Sequence, residues 1–337
     1  MAVDVPASSS DASRQLKGDA EVRVADGSPV AAEAAGVSRT VALAGSVTRV
    51  VSPTISVRKR LHEIWLSREL LIYLVRTEIK VKYKNSALGL VWSMVAPAMT
   101  LAIYFFVFSI VLGNKMPNFV IFLFSGLLLW NLFSLGVLTG TGVVVNNAGI
   151  VKKVSFPREI LALAAVGSAC VFFFFQAIVM VIFMVVLQAP PDLAYFPVLV
   201  LALITGVILA AALSVLLSSI NVYLRDTQHL IEVVLTAWFW ACPIVYSYWT
   251  VEKKLGPRGL TWIYFLNPVT PLILAFQRCL YAHPVVTISG TVTQVLPTQG
   301  YLWYVVLVLI VLVLSLLLFL VALAIFGRLE GNFAEEL

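Results

Sequence analysis

Long apolar runs without a charged residue alternate with short polar segments along most of the chain. Six runs stand out: about Ala87–Leu112, Phe119–Val145, Ile160–Leu187, Phe196–Ile220, Val233–Tyr248 and Leu302–Phe326. Crossing a hydrocarbon core takes ~20 helical residues. Backbone groups in lipid must be satisfied internally, so these runs predict helices and not open strands. The expected fold is an all-α polytopic membrane protein with six transmembrane helices, built over residues 87–337.

Two segments break this pattern. Residues 58–86 read RKRLHEIWLSRELLIYLVRTEIKVKYKNS. Apolar Ile64, Leu71, Leu74, Val75 and Ile79 recur at helical spacing, with Arg68, Arg76, Lys80 and Lys84 among the polar positions. That pattern predicts an amphipathic helix in the membrane interface, directly before the first span; an ordinary solvated helix is the plain alternative. The second segment is the loop at about 250–300. Within it, residues 259–277 are uncharged but are interrupted by Asn267-Pro268 and Pro271, which block a continuous helix. Two short re-entrant half-helices are expected there. The alternative, a seventh span, would put the C-terminus outside.

Residues 1–57 show no helical or strand period and are expected to be a disordered tail. They carry no apolar run behind a basic start, so no secretory signal is read there.

Composition agrees with the pattern. Of 337 residues, 61% are hydrophobic and 12% are charged, about half the charged share of a soluble domain. Mean hydropathy is +0.97. The net charge of +6 would fit a nucleic-acid partner on a soluble chain, but here the basic residues cluster outside the spans, so no nucleic acid is expected. Thirteen of the 23 Lys and Arg precede the first span, and Lys152, Lys153, Arg158, Arg225 and Arg328 fall on the same side of a six-span chain. The other side holds five. By the positive-inside rule both termini are cytoplasmic, and the protein is a multi-pass plasma-membrane protein.

Chemistry is sparse. There is no GxxxxGK[ST] loop, HExxH or GxSxG motif, so no catalytic site is read in this chain. Cys170, Cys242 and Cys279, and His62, His229 and His283, fit no metal-ligand spacing. Phe156, Pro157, Arg158 and Glu159 precede the third span, where Pro suits a first helical turn and Glu its positive end; helix initiation and a docking role are compatible. Arg225 and Asp226 lie between the fourth and fifth spans. Glu232 falls at the start of the fifth, where an acid is either functional or held at headgroup level. Aromatics are dense. Tyr104, Phe105, Trp238, Trp240 and Tyr246 are candidates to line a path for sugar rings; lipid contact or an interfacial belt is the plainer account.

Five segments together resemble one family: RTEIKVKYKNSALGLVWSMVAP (76–97), FPREILALA (156–164), YLRDTQHLIEVVLTAWFWACPIVYS (223–247), NPVTPLILAFQRCLY (267–281) and FGRLEGNFAEEL (326–337). Their order is similar to that in the transmembrane subunits of type 2 ABC polysaccharide exporters, the O-antigen, teichoic acid and galactan permeases. The wording is most like the mycobacterial lipid-linked galactan branch. The resemblance implies a homodimeric permease bound to two copies of an ABC ATPase, which holds the ATP and Mg. The substrate it implies is a polyprenyl-pyrophosphate-linked glycan. It implies ATPase coupling through Phe156–Glu159 and a substrate entrance near Leu88 and Gly89. Arg76, Lys80, Lys82 and Lys84 would meet either the carrier's pyrophosphate or anionic membrane lipids.

Overall fold

A computed structural model describes residues 57–84, 86, 89–111, 113, 116–288 and 291–337. The tail over 1–57 lies outside the described residues apart from Val57, as does Leu88.

The chain begins with α1 (Val57–Leu66) and α2 (Arg68–Lys82). The single helix expected over 58–86 is therefore two helices, broken at Ser67 and ending at Lys82. A short 3₁₀ turn (Gly89–Val91) leads into α3 (Trp92–Phe105), which continues as a π-helix over Phe106–Val111. Then come α4 (Phe119–Asn146), the one-turn α5 (Ala148–Val151), α6 (Glu159–Val186) and α7 (Phe196–Tyr223). The next helices are α8 (Thr227–Trp240), α9 (Tyr248–Leu255), α10 (Thr261–Phe265) and α11 (Val269–Leu280). A two-stranded antiparallel hairpin follows, β1 (Val285–Ile288) with β2 (Thr291–Gln294), Val285 facing Gln294. The long α12 (Tyr301–Leu329) and the short α13 (Phe333–Glu336) end the chain.

Among the described residues, four helices are long and apolar enough to cross a membrane: α4, α6, α7 with its preceding turn, and α12 with the turn after it. Two expected spans differ. The first is continuous from Trp92 to Val111 only because a π-helical stretch extends α3. The fifth was expected over Val233–Tyr248, but α8 runs from Thr227 to Trp240. Fourteen residues rise about 21 Å, less than the ~30 Å hydrocarbon core. Pro243 accounts for the early end, because it has no N–H to continue the ladder.

α4 is the hub. Over its most apolar stretch 83% of positions are buried, against 22% for α12. Small residues allow the close approach. An added Cβ on Gly140 would lie 2.5 Å from Ser214 Cβ on α7, and the Ser214 hydroxyl donates to Gly136 O at 2.9 Å. Small residues four apart play this part in membrane bundles generally. α11 is buried in the bundle, with Leu272, Ile273, Leu274, Ala275 and Phe276 essentially inaccessible. At twelve residues it rises about 18 Å, too short to span.

Candidate functional site

Two lobes of one cavity open between α3, α4, α6 and α8. The first has a volume of about 570 Å³ and is bounded by Lys82, Tyr83, Trp92, Pro97 and Phe172 among others. The second, about 550 Å³, reaches Tyr104, Trp130, Glu232, Thr236 and Phe239. Both share Thr100, Leu127, Asn131, Leu135 and Gln176. Asn131 sits near the middle of α4 and Gln176 beyond the middle of α6, and Asn131 Nδ2 donates to Gln176 Oε1 at 2.9 Å. That bond leaves an amide oxygen on Asn131 and an amide N–H₂ on Gln176, an acceptor beside a donor. Polar side chains at such depth in apolar helices are costly unless they have work to do.

The first lobe has α2 at its edge. Part of its apolar stripe packs against protein: Val75 lies against Gly167 of α6, where an added Cβ would stand 2.7 Å from Val75 Cγ2. Ile64 and Leu74 join a core cluster with Leu161, Phe326 and Phe333. The opposite face carries Trp65, Leu66, Ile72 and Tyr73, all exposed, beside Arg76 and Lys80. Lys82 is also exposed, but it stands at the edge of the cavity, its Nζ 4.2 Å from the centre of the Phe172 ring, a favourable cation–π distance. Arg76, Lys80 and Lys84 are exposed and do not line the cavity. Burial pushes the Glu78 carboxyl above its usual range, against the Ser168 hydroxyl and Lys82, which pull it down. Gly89 adopts a left-handed conformation, φ +49°, its N–H donating to Ser86 Oγ at 3.2 Å; that backbone suits glycine.

Of the five candidate channel aromatics, Tyr104 alone lines either lobe. Phe105 is 45% exposed and Trp240 61%, and neither reaches the cavity. Trp238 packs edge-on to Phe133, and its indole N–H donates to Asn267 Oδ1 at 2.9 Å. Tyr246 lies in the turn after α8, where its hydroxyl donates to Trp240 O at 2.9 Å. Tyr83, Trp92, Phe124, Trp130 and Phe172, which also line the cavity, were outside the candidate set, and Phe239 of the fifth-span cluster lines it too. Asn131 and Gln176 were outside that set as well, although each is an amide inside an otherwise apolar run and was visible as such.

Glu232 lines the second lobe, whereas Arg225 and Asp226 are exposed at the turn before α8. Asn267 holds the chain where α8 breaks off. Its Oδ1 also accepts from Val269 N–H at 3.0 Å, and its Nδ2 donates to Cys242 Sγ at 3.2 Å.

The Phe156–Glu159 segment is not a free surface. Glu159 is buried and paired with Arg60 of α1, which also donates to Glu330 Oε2 at 2.9 Å. Arg158 donates to the Glu330 backbone O at 2.9 Å and lies over the Phe333 ring. Burial works against the Arg60 charge, but Glu159 and Glu330 outweigh it and hold the guanidinium above its ordinary value. What the loop exposes is the stretch just before, Lys152, Lys153, Val154 and Ser155. Glu159, expected with Phe156, Pro157 and Arg158 to couple to a partner, has its Oε1 paired with Arg60 inside the chain. No group of three His, Cys, Asp or Glu placed to hold a metal occurs among the described residues.

Long apolar helices packed around a mainly apolar cavity that holds a few polar side chains are the architecture of an integral membrane protein. Residues 69–281 match the ABC-2 type transporter family, and the chain belongs to that family, whose members work with an ABC ATPase. It is 34% identical over 223 residues to the O-antigen export system permease protein RfbA of Myxococcus xanthus, covering 66% of this chain and 84% of the relative. Two RfbA proteins of the same description from Klebsiella pneumoniae are 30% identical over 209 residues and 28% over 267. These alignments cover 62% and 79% of this chain, and 79% and 94% of the relatives.

Proposed function

We propose that the chain is the permease half of an ATP-driven exporter that moves a polyprenyl-pyrophosphate-linked polysaccharide, cell-wall galactan, across the plasma membrane. The observation that carries this reading is the two-lobed cavity with Asn131 and Gln176 at its waist. A sugar hydroxyl both donates and accepts, and the Asn131 oxygen beside the Gln176 amide complements it. Trp130 and Phe239 supply flat apolar faces of the kind sugar rings stack on. An ion path would need rings of full charges or of carbonyls, and the cavity offers one carboxylate, Glu232, in one lobe and one ammonium, Lys82, in the other, among neutral groups.

In this reading the end of the bundle carrying α1 and the Lys152–Ser155 loop is cytoplasmic. The loop meets one of two ATPase copies, and two permeases pair around the path. Lys82, at the edge of the first lobe, attracts the pyrophosphate, while Arg76, Lys80 and Lys84 face anionic headgroups. The short α10 and α11, hinged at Asn267-Pro268, are re-entrant and close the exterior end. The named relatives favour a second substrate, an O-antigen type of glycan.

Depleting the chain in its host and analysing the membrane extract by mass spectrometry separates the substrates. Accumulation of polyprenyl-linked galactan is expected; accumulation of a heteropolymeric repeat would favour the O-antigen reading, and no lipid-linked glycan would defeat both. Within the same strain, Asn131→Leu with Gln176→Leu is expected to cut export at least tenfold at normal protein level. Unchanged surface glycan in that double variant would remove the cavity from the transport path.

A further inference from the structure

Segments far apart in sequence converge on one guanidinium. Arg60 is 6% exposed and donates one nitrogen to Glu159, at the start of α6, and another to Glu330, just past α12. Gly327 forms the floor: an added Cβ would meet Arg60 Nε at 2.7 Å, Cζ at 2.8 Å and Nη2 at 2.9 Å. Around this hub, Arg158 donates to the Glu330 backbone, and the Tyr223 hydroxyl donates to Leu329 O at 2.8 Å. Glu159 Oε2 finds no donor among the described residues, so Arg60 is its one neutralising partner in that structure.

The hub sits between two things the chain must connect. On one side is the exposed loop Lys152–Ser155. On the other is α1–α2, which is pressed on α6 at Val75–Gly167 and reaches the cavity at Lys82–Phe172. A buried, forked, charge-assisted contact is stiff and tolerates little displacement. A push on the loop is therefore passed into α1–α2 through Glu159 and Arg60.

We propose that Arg60 is the positioning residue that makes the loop before α6, the α1–α2 pair and the segment 327–333 move as one body, so that motion at the loop reaches the first lobe of the cavity. The proposal rests on the reading that the loop meets the ATPase, and the test has two arms so that the two ideas can fail separately.

The first arm needs no ATPase. Hydrogen–deuterium exchange is followed on the full chain in lipid nanodiscs. Arg60→Ala is expected to speed exchange at least tenfold together in Arg68–Lys82 and in 330–336. Faster exchange confined to α1 would overturn the proposal, since it would mean that Arg60 only packs its own helix. The second arm uses the complex with its ATPase and AMP-PNP as the probe. In the wild-type complex, nucleotide should change exchange both in 148–158 and in Arg68–Lys82. In Arg60→Ala the change should persist in the loop and fall at least threefold in α2. A full-sized response in α2 would overturn the relay, and a loop that ignores AMP-PNP in the wild type would overturn the docking reading and the relay with it. If Arg60→Ala does not fold, Arg60→Lys, which keeps the charge and loses the fork, and Gly327→Ala, which displaces the guanidinium, carry both arms. Each is expected to show the same loss in α2, and wild-type transmission in both would overturn the proposal.

Discussion

The two ends of the bundle are closed by different chemistry. The end that carries α1 is closed by buried charge: Arg60 and Glu159 are 6% and 1% exposed, and Glu330 joins them. The opposite end is closed by neutral donors and a half-open ion pair. The Tyr281 hydroxyl donates to Pro117 O at 3.0 Å, and Tyr304 donates to Pro297 O at 2.8 Å. Arg278 meets Asp192 at 3.0 Å with 13% and 30% exposure, and its guanidinium lies 3.9 Å from the centre of the Tyr195 ring. Buried charge loses much when one member is removed, because the other is left unpaired. Neutral bonds and exposed pairs lose little. One end is thus sensitive to a single charge, while the other is redundant.

Four substitutions break or sharpen this contrast. Arg60→Ala should have the largest effect, destabilising the protein by about 3–5 kcal/mol, as expected when a buried pair loses a partner; thermal unfolding in detergent measures it. Arg278→Ala, at the other end, should cost about 1–2 kcal/mol, from a part-exposed pair and its aromatic contact. An equal loss at both ends would erase the contrast. Tyr281→Phe removes one hydroxyl donor and should cost about 1 kcal/mol, read in the same assay. Glu78→Gln should have the smallest effect, and with the opposite sign. The folded carboxyl has its pKa raised, mainly by burial. The folded state therefore binds that proton more tightly than the unfolded one, and stability falls as pH rises above the ordinary carboxylate range. Removing the group should raise the melting temperature slightly at pH 7.5 and leave it unchanged at pH 4; a lowered value at pH 7.5 would contradict the shift.

The long spans were legible because uniform apolar runs leave a helix no other choice in lipid. Their ends were less so. The run Val233–Tyr248 reads as one segment, but Pro243 ends it and places Tyr246 and Tyr248 in separate elements. The amphipathic stripe Ile64–Ile79 was read correctly as a helical face. The expectation is a helix in the membrane interface, and Gly167 lets Val75 of that face sit on α6. Composition cannot tell a protein surface from an acyl chain, since both are apolar. The cavity was written in the sequence as two amides, Asn131 and Gln176, and the aromatic clusters drew attention away from them. The contact of Arg60 with Glu159 and Glu330 had no local signal. Its members lie 99 and 270 residues from Arg60, and only the fold brings them together.

The shortness of α11 has a consequence for how the protein is made. Twelve residues that carry Gln277 and Arg278 in their last turn are a poor substrate for insertion as an independent span. Their polar partners are the Pro243 carbonyl, which accepts from Gln277 Nε2 at 2.7 Å, and Asp192 beside Arg278. Both belong to segments made earlier in the chain. The groove that receives α11 is shaped by Gly126 and Gly206, on helices that must already be side by side. Seating α11 is thus a late event of biogenesis, governed by assembly of its neighbours and not by the insertion machinery. A lesion at Gly126 or Gly206 should therefore register first as failed maturation and only afterwards as failed transport.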